Sequence, residues 1–177
     1  MSITVAKSAG FCFGVNRAIN IVNSLLDKNV KVSTLGPIIH NMEVVNELES
    51  RGCKAVDNID EVEKDATLVI RSHGVPKYVI DKLDENGVKY EDATCPFVKK
   101  IHNIVANPDN KDGIVLIAGN SVHPEVEGII GHCSTECHTF KNSEEIDEIY
   151  NIVLKKNNKQ VFVVAQTHLT QKNGKSV

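Results

Sequence analysis

No stretch of this sequence is apolar for long enough to cross a bilayer. The most apolar runs, such as IVLIAG and VFVVA, fall far short of the ~20 residues that a spanning helix needs. Charge of one sign is also missing. Twenty Lys and Arg against 23 Asp and Glu leave a formal net charge of −3, which gives no electrostatic reason to expect a nucleic-acid or membrane partner. A signal peptide is not expected either, because ITVA (3–6) is a short apolar run met at once by polar and charged residues. The expected compartment is the cytoplasm. With 41% hydrophobic and 24% charged residues over 177 positions, the composition is that of one ordinary globular domain or two small ones. Cysteine is the exception to this plainness: Cys12, Cys53, Cys95, Cys133 and Cys137. An odd number in a chain expected to be cytosolic argues against a disulfide framework. Metal binding, catalysis or simple burial remain.

Val- and Ile-rich runs alternate with helical patterns. Strands are expected at 3–6, 30–35, 67–72, 114–119 and 161–165. Helices are expected near 14–28, 41–50, 76–86, 96–106, 124–131 and 143–156. Apolar strands alternating with helices predict an α/β fold with mostly parallel sheets. The chain also repeats itself. Cys12 and Cys95 stand 83 residues apart, as do His40 and His123. VIRSHG (69–74) then pairs with VAQTHL (164–169), setting His73 opposite His168. Each module reads cysteine, helix, strand, histidine, helix, strand, polar turn, which predicts two repeated three-layer modules over 1–95 and 96–177.

In an α/β layer, ligands bind beyond the carboxyl ends of the strands. His40, His73, His123 and Thr167 each follow an expected strand and precede or begin a helix. Helix N-termini there favour anions, so a phosphate or diphosphate suits the histidines. Cys95 precedes Pro96, a residue suited to the first helical turn, and Cys12 also precedes a helix. Both thiols therefore sit where a helix dipole favours thiolate, the form that iron or zinc requires. Burial as small hydrophobes is the competing reading. In NSVHPEVEG, His123 and Glu125 can face one crevice, the carboxyl for proton transfer and the imidazole for an oxyanion; for Glu125 alone, a helix-capping role competes. A different reading takes His132, Cys133, Cys137 and His138 of HCSTECH as four zinc ligands in a non-enzymatic module, although Cys-x₃-Cys is looser than the usual knuckle and ECHTF also reads as a strand. His102, Cys53 and Cys133 otherwise read as core or surface residues.

Taken together, GFCFGVNRAI, LGPIIHN, RSHGVP, DATCPFVKKIH, HPEVEG and AQT resemble the 4-hydroxy-3-methylbut-2-enyl diphosphate reductase (LytB/IspH) family, in the family's order from Cys12 to Thr167. The resemblance implies a trefoil-like architecture of three α/β modules around a cavity. It implies a [4Fe–4S] cluster held by three cysteines, with Cys12 and Cys95 as two of them. It also implies His40, His73 and His123 on the substrate's diphosphate, Glu125 as proton donor and Thr167 as its hydrogen-bonding partner. The reaction implied is the last step of the non-mevalonate isoprenoid pathway: two electrons and two protons remove a hydroxyl as water and give isopentenyl and dimethylallyl diphosphates. The electron donor would be a ferredoxin or flavodoxin, with neither nucleic acid nor membrane as partner. Two departures stand out. The third module, with its cysteine and a Ser-x-Asn segment, is expected to be absent from this chain, which puts activity of the chain alone in doubt. And His168 stands where the family usually has a hydroxyl residue.

Overall fold

The fourteen residues Phe13–Leu26 form the first helix, α1, because Ala18 and Val22 recur one turn apart on a single buried stripe with Gly14. It ends where Asn29 takes a left-handed φ of 56°, a conformation asparagine tolerates, and Val30 N–H closes the turn on the Leu25 carbonyl. The structure, a computed structural model, describes residues 3, 4, 6, 9–107, 113–154 and 160–167. The remaining elements are β1 (Val32–Leu35), α2 (Met42–Ser50), β2 (Cys53–Val56), a 3₁₀ turn (Ile59–Glu61), β3 (Thr67–Ile70), α3 (Lys77–Glu85), β4 (Tyr90–Asp92), α4 (Pro96–Val105), β5 (Ile114–Ala118), α5 (Pro124–His132), β6 (Glu136–Phe140), α6 (Ser143–Leu154) and β7 (Val161–Ala165).

These group into two compact units, residues 1–72 with 88–95 and residues 73–87 with 96–177. The first holds a parallel four-stranded sheet in the order β2-β1-β3-β4, with Val32 opposite Cys53 on one side and Thr67 on the other. Every residue of the interior strand β3 is buried, as expected where a parallel sheet is covered on both faces. Its core joins Ala18 and Val22 of α1 to Val32, Ile38, Ile39, Leu48, Val69 and Ala93. Asn41 caps α2 by accepting the Val44 N–H at 3.1 Å.

The second unit holds a parallel three-stranded sheet in the order β6-β5-β7. Val105, Val115, Ile117, Val126 and Ile129 form its core. His102 of α4, only 5% exposed, stacks on His132 of α5 with ring centroids 4.1 Å apart. Gly131 of α5 runs so close to Pro76 that a Cβ there would lie 2.3 Å from the proline ring.

The α/β reading with parallel sheets holds, and both sheets place their strands in the same sequence. The first strand is central, the second lies on one side and the third on the other. β1 and β5, α2 and α5, and β2 and β6 recur at a shift of 83 residues to within one position at their starts. One strand expectation is corrected. Ile3, Thr4 and Ala6 are not in a strand: they pair with neither sheet, and the Ala6 carbonyl accepts the Ala9 N–H at 3.0 Å instead; Val5 lies outside the described residues. So do His168, and with it the pairing to His73, and residues 155 and 156 of the expected last helix.

Candidate active site

In the first unit the site is built on the N-terminus of α1. Cys12 is its N-cap, with extended backbone (φ −64°, ψ 165°) and an exposed side chain. Cys95 is carried on the strap that follows β4. That strap is held at every residue: Ala93 N–H bonds the Ile70 carbonyl, Thr94 N–H the Asp92 side chain at 2.9 Å, and Cys95 N–H the Ser72 carbonyl at 2.9 Å. Arg17 of α1 reaches across and donates to the Asp92 and Thr94 carbonyls at 3.1 and 3.2 Å. The Cys95 thiol then lies against Gly14, so closely that a Cβ on Gly14 would stand 2.6 Å from Sγ and 3.0 Å from the cysteine's own Cβ. Both cysteines therefore meet the first turn of one helix. His40 is exposed and follows the chain away from β1. The buried pair Ile38 and Ile39 anchors its segment on one side and the Asn41 cap on the other.

In the second unit His123 caps α5: its Nδ1 accepts the Glu125 N–H at 3.1 Å. That bond places the neutral ring's proton on Nε2. His73 meets the His123 ring edge-on, with centroids 5.6 Å apart, and Gly74 beside it takes φ 75°. Glu125 is fully buried. Its carboxylate accepts twice from Thr167, from the backbone N–H at 2.6 Å and from the hydroxyl at 2.9 Å. A buried carboxyl group needs such partners. Glu127, by contrast, is exposed.

The zinc reading of HCSTECH is corrected. His132 turns its Nε2 to the Val75 carbonyl at 3.1 Å and His138 turns to Glu136 at 2.9 Å. Cys137 and His138 are successive in β6 and point to opposite faces. Among the described residues these four do not converge on a common point. Cys133 turns its thiol to the Ile129 carbonyl at 3.4 Å, and Cys133 and Cys137 both pack on the apolar core of the second unit.

Arg17 is the residue that motif reading misses. It stands inside GVNRA without a role of its own, and its partners are carbonyls 75 and 77 positions away.

The LytB protein family matches residues 3–177. The chain belongs to the LytB family. Among LytB relatives, the 4-hydroxy-3-methylbut-2-enyl diphosphate reductase of Clostridioides difficile is 39% identical over 168 residues, covering 94% of this chain and 59% of that protein. The reductase of Thermoanaerobacter sp. (strain X514) is 38% identical over 181 residues, covering 100% and 61%. The chain thus spans about three fifths of these relatives' length. Of solved structures, an (E)-4-hydroxy-3-methyl-but-2-enyl diphosphate reductase superposes with a TM-score of 0.73 at 32% identity, covering 92% of this chain and 66% of that one. The corresponding Plasmodium falciparum reductase gives 0.79 at 30% identity, covering 92% and 50%.

Proposed function

We propose that this LytB chain serves the reductive dehydroxylation of 4-hydroxy-3-methylbut-2-enyl diphosphate to isopentenyl and dimethylallyl diphosphates. Residues 1–95 and 96–177 are read as two of the family's repeated modules. The support is the naming of its relatives together with one observation in the chain itself: the buried Glu125 carboxylate gripping Thr167 in the first turn of the helix that His123 caps.

The residues suit an iron–sulfur cluster in kind. Cys12 and Cys95 offer two thiols at one helix N-terminus, and Gly14 lacks the Cβ that would push Cys95 aside. Cys12 and Cys95 would supply two ligands of a [4Fe–4S] cluster. When bound, such a cluster supplies low-potential electrons. The chain's own residues do the rest. The Nε2 proton of His123 bonds a diphosphate oxygen, with His73 beside it and His40 in the same role. Fixing the diphosphate fixes the reacting end of a small substrate. Glu125 delivers a proton to the departing hydroxyl, and Thr167 holds the carboxyl in one orientation while it does so. With two electrons and two protons the alcohol leaves as water. Electrons come from a small carrier such as a ferredoxin or flavodoxin, and the cytoplasm is the compartment for such a donor. Among the described residues no helix is long and apolar enough to cross a membrane.

Anaerobic reconstitution with iron and sulfide tests this reading. The expected product is brown, absorbs near about 400 nm as Fe–S centres do, loses that band in Cys12→Ser and Cys95→Ser, and consumes the substrate under a chemical reductant. A reconstituted protein that binds iron through neither cysteine refutes it.

A further inference from the structure

A carbonyl oxygen shares one peptide plane with the N and Cα of the residue that follows. Restraining that oxygen therefore restrains where the next Cα stands. The carbonyl that leads into Cys12 belongs to Phe11, and it accepts the side-chain amide of Asn16 at 2.8 Å. The carbonyl that leads into Cys95 belongs to Thr94, and it accepts Nη1 of Arg17 at 3.2 Å. Asn16 and Arg17 are consecutive residues of α1. Asn16 turns back over the start of its own helix, while Arg17 crosses to the strap after β4.

The two planes are held to different degrees. The Thr94–Cys95 plane is restrained at both edges, since the Cys95 N–H bonds the Ser72 carbonyl at 2.9 Å. The Arg17 fork also grips the Asp92 carbonyl at 3.1 Å, with the fully buried Ala93 between. The Phe11–Cys12 plane has the Asn16 amide, and the Cys12 carbonyl accepts the Asn16 N–H at 3.0 Å. The Cys12 side chain makes no capping bond, so its sulfur takes its place from the backbone that carries it.

We propose that Asn16 and Arg17 are positioning residues for the two thiols. Asn16 holds Cys12 and Arg17 holds Cys95, each through the carbonyl that precedes the cysteine, so both sulfurs stand in set places before a cluster arrives. This rests on the reading of the two cysteines as cluster ligands. Neither side chain is a ligand; each is an outer partner of one, and such partners are worth about 10–100-fold in metal affinity. A guanidinium suits the longer reach, because its planar fork meets two carbonyls at once where an ammonium is a single point of charge.

The test probes the full chain, metal-free, with phenylarsine oxide, which condenses with two thiols at once and releases water. Its affinity is read by competition with a small dithiol, and the signal lost in Cys12→Ser/Cys95→Ser is the part due to this pair. Asn16→Ala and Arg17→Ala are each expected to weaken that part by about tenfold, with Arg17→Lys recovering some of it. Val22→Ala is the control. It leaves a cavity in the buried stripe of α1 and so lowers stability, yet it touches neither peptide plane, and its arsenical affinity is expected to match the parent. After reconstitution with iron and sulfide, a chelator is expected to strip the cluster about tenfold faster from the two alanine variants at positions 16 and 17 than from Val22→Ala. An unchanged arsenical affinity in Asn16→Ala or in Arg17→Ala overturns that residue's assignment. A parent signal no larger than that of Cys12→Ser/Cys95→Ser overturns both, as does a Val22→Ala chain that weakens as far as Arg17→Ala. A parent that takes up no iron through these cysteines refutes the cluster reading instead, because the arsenical measurement needs no cluster.

Discussion

Replacing Gly14 by alanine sets two effects of opposite sign against each other. Gly14 lies in the first turn of α1 with no positive φ, so helix propensity alone makes alanine better by about 0.5–1 kcal/mol. Packing works the other way. The new methyl would meet Cys95 Sγ at 2.6 Å and Cys95 Cβ at 3.0 Å. Rotating the thiol relieves the first contact and not the second, because Cβ does not move with χ1. The strap bearing Cys95 resists shifting, being tied by Arg17 and by the Ser72 carbonyl. Overpacking of this kind costs about 1–3 kcal/mol, so a net loss of about 1–2 kcal/mol is expected, and for a chain of this length each kcal/mol lowers Tm by about 2–4 °C. Two assays read it together: urea unfolding of the metal-free protein, and the native rate of Cys95 alkylation, which should change as the thiol is turned from its seat. Asn20→Ala, on the exposed side of the same helix, isolates the propensity effect and should stabilise by a few tenths of a kcal/mol. A Gly14→Ala protein as stable as the parent, with Cys95 alkylated at an unchanged rate, would refute the reasoning.

Arg17→Ala removes both donors from the Asp92 and Thr94 carbonyls; a loss of about 1–3 kcal/mol in urea unfolding and faster alkylation of Cys95 are expected, with Arg17→Lys recovering part of each. Glu125→Gln should keep its fold, since the amide oxygen still accepts the Thr167 N–H and the amide nitrogen can donate to the Thr167 hydroxyl. Thermal melting should barely move, while turnover of the reconstituted protein falls by about 10²–10⁴. Cys53 is 6% exposed, and burial pushes its thiol up to about 11. It should resist iodoacetamide at pH 8 unless the chain unfolds. The folded state keeps the Cys53 proton to higher pH than the unfolded state does, so this contribution to stability is complete below the ordinary thiol value and lost as pH climbs from there towards 11, an effect absent in Cys53→Ala.

Where burial is complete, the sequence speaks clearly. TLVI and IVLIA read as apolar runs because neither strand exposes a residue, and α1 reads as a stripe because one face of it is buried. β2 and β4 escape such a reading for the opposite reason. CKAV buries only its end residues and YED none of its three, since strands at a sheet edge need little apolar surface. Cys12, Cys95, His123 and Glu125 stand out because each adjoins a helix start, and helix starts carry recognisable residues. Arg17 does not, because it works through backbone carbonyls that any residue would supply. The fate of HCSTECH was equally hidden: its spacing suits a metal knuckle, and the turning of His132 and His138 towards other partners is what sets that aside.

The chain passes from the first unit to the second after Ser72, returns at Val88 and leaves again after Cys95. Neither unit is therefore one uninterrupted length of polypeptide. Severing the backbone between Cys95 and Pro96 would give each sheet its own fragment, yet α3 and Pro76 would travel with the wrong one. Gly131 would then face empty space where the proline ring had been. Co-expressed halves cut at that bond have to find each other again to bury α5, so the repeat visible in the strand order cannot be separated into two self-sufficient pieces by a single cut there.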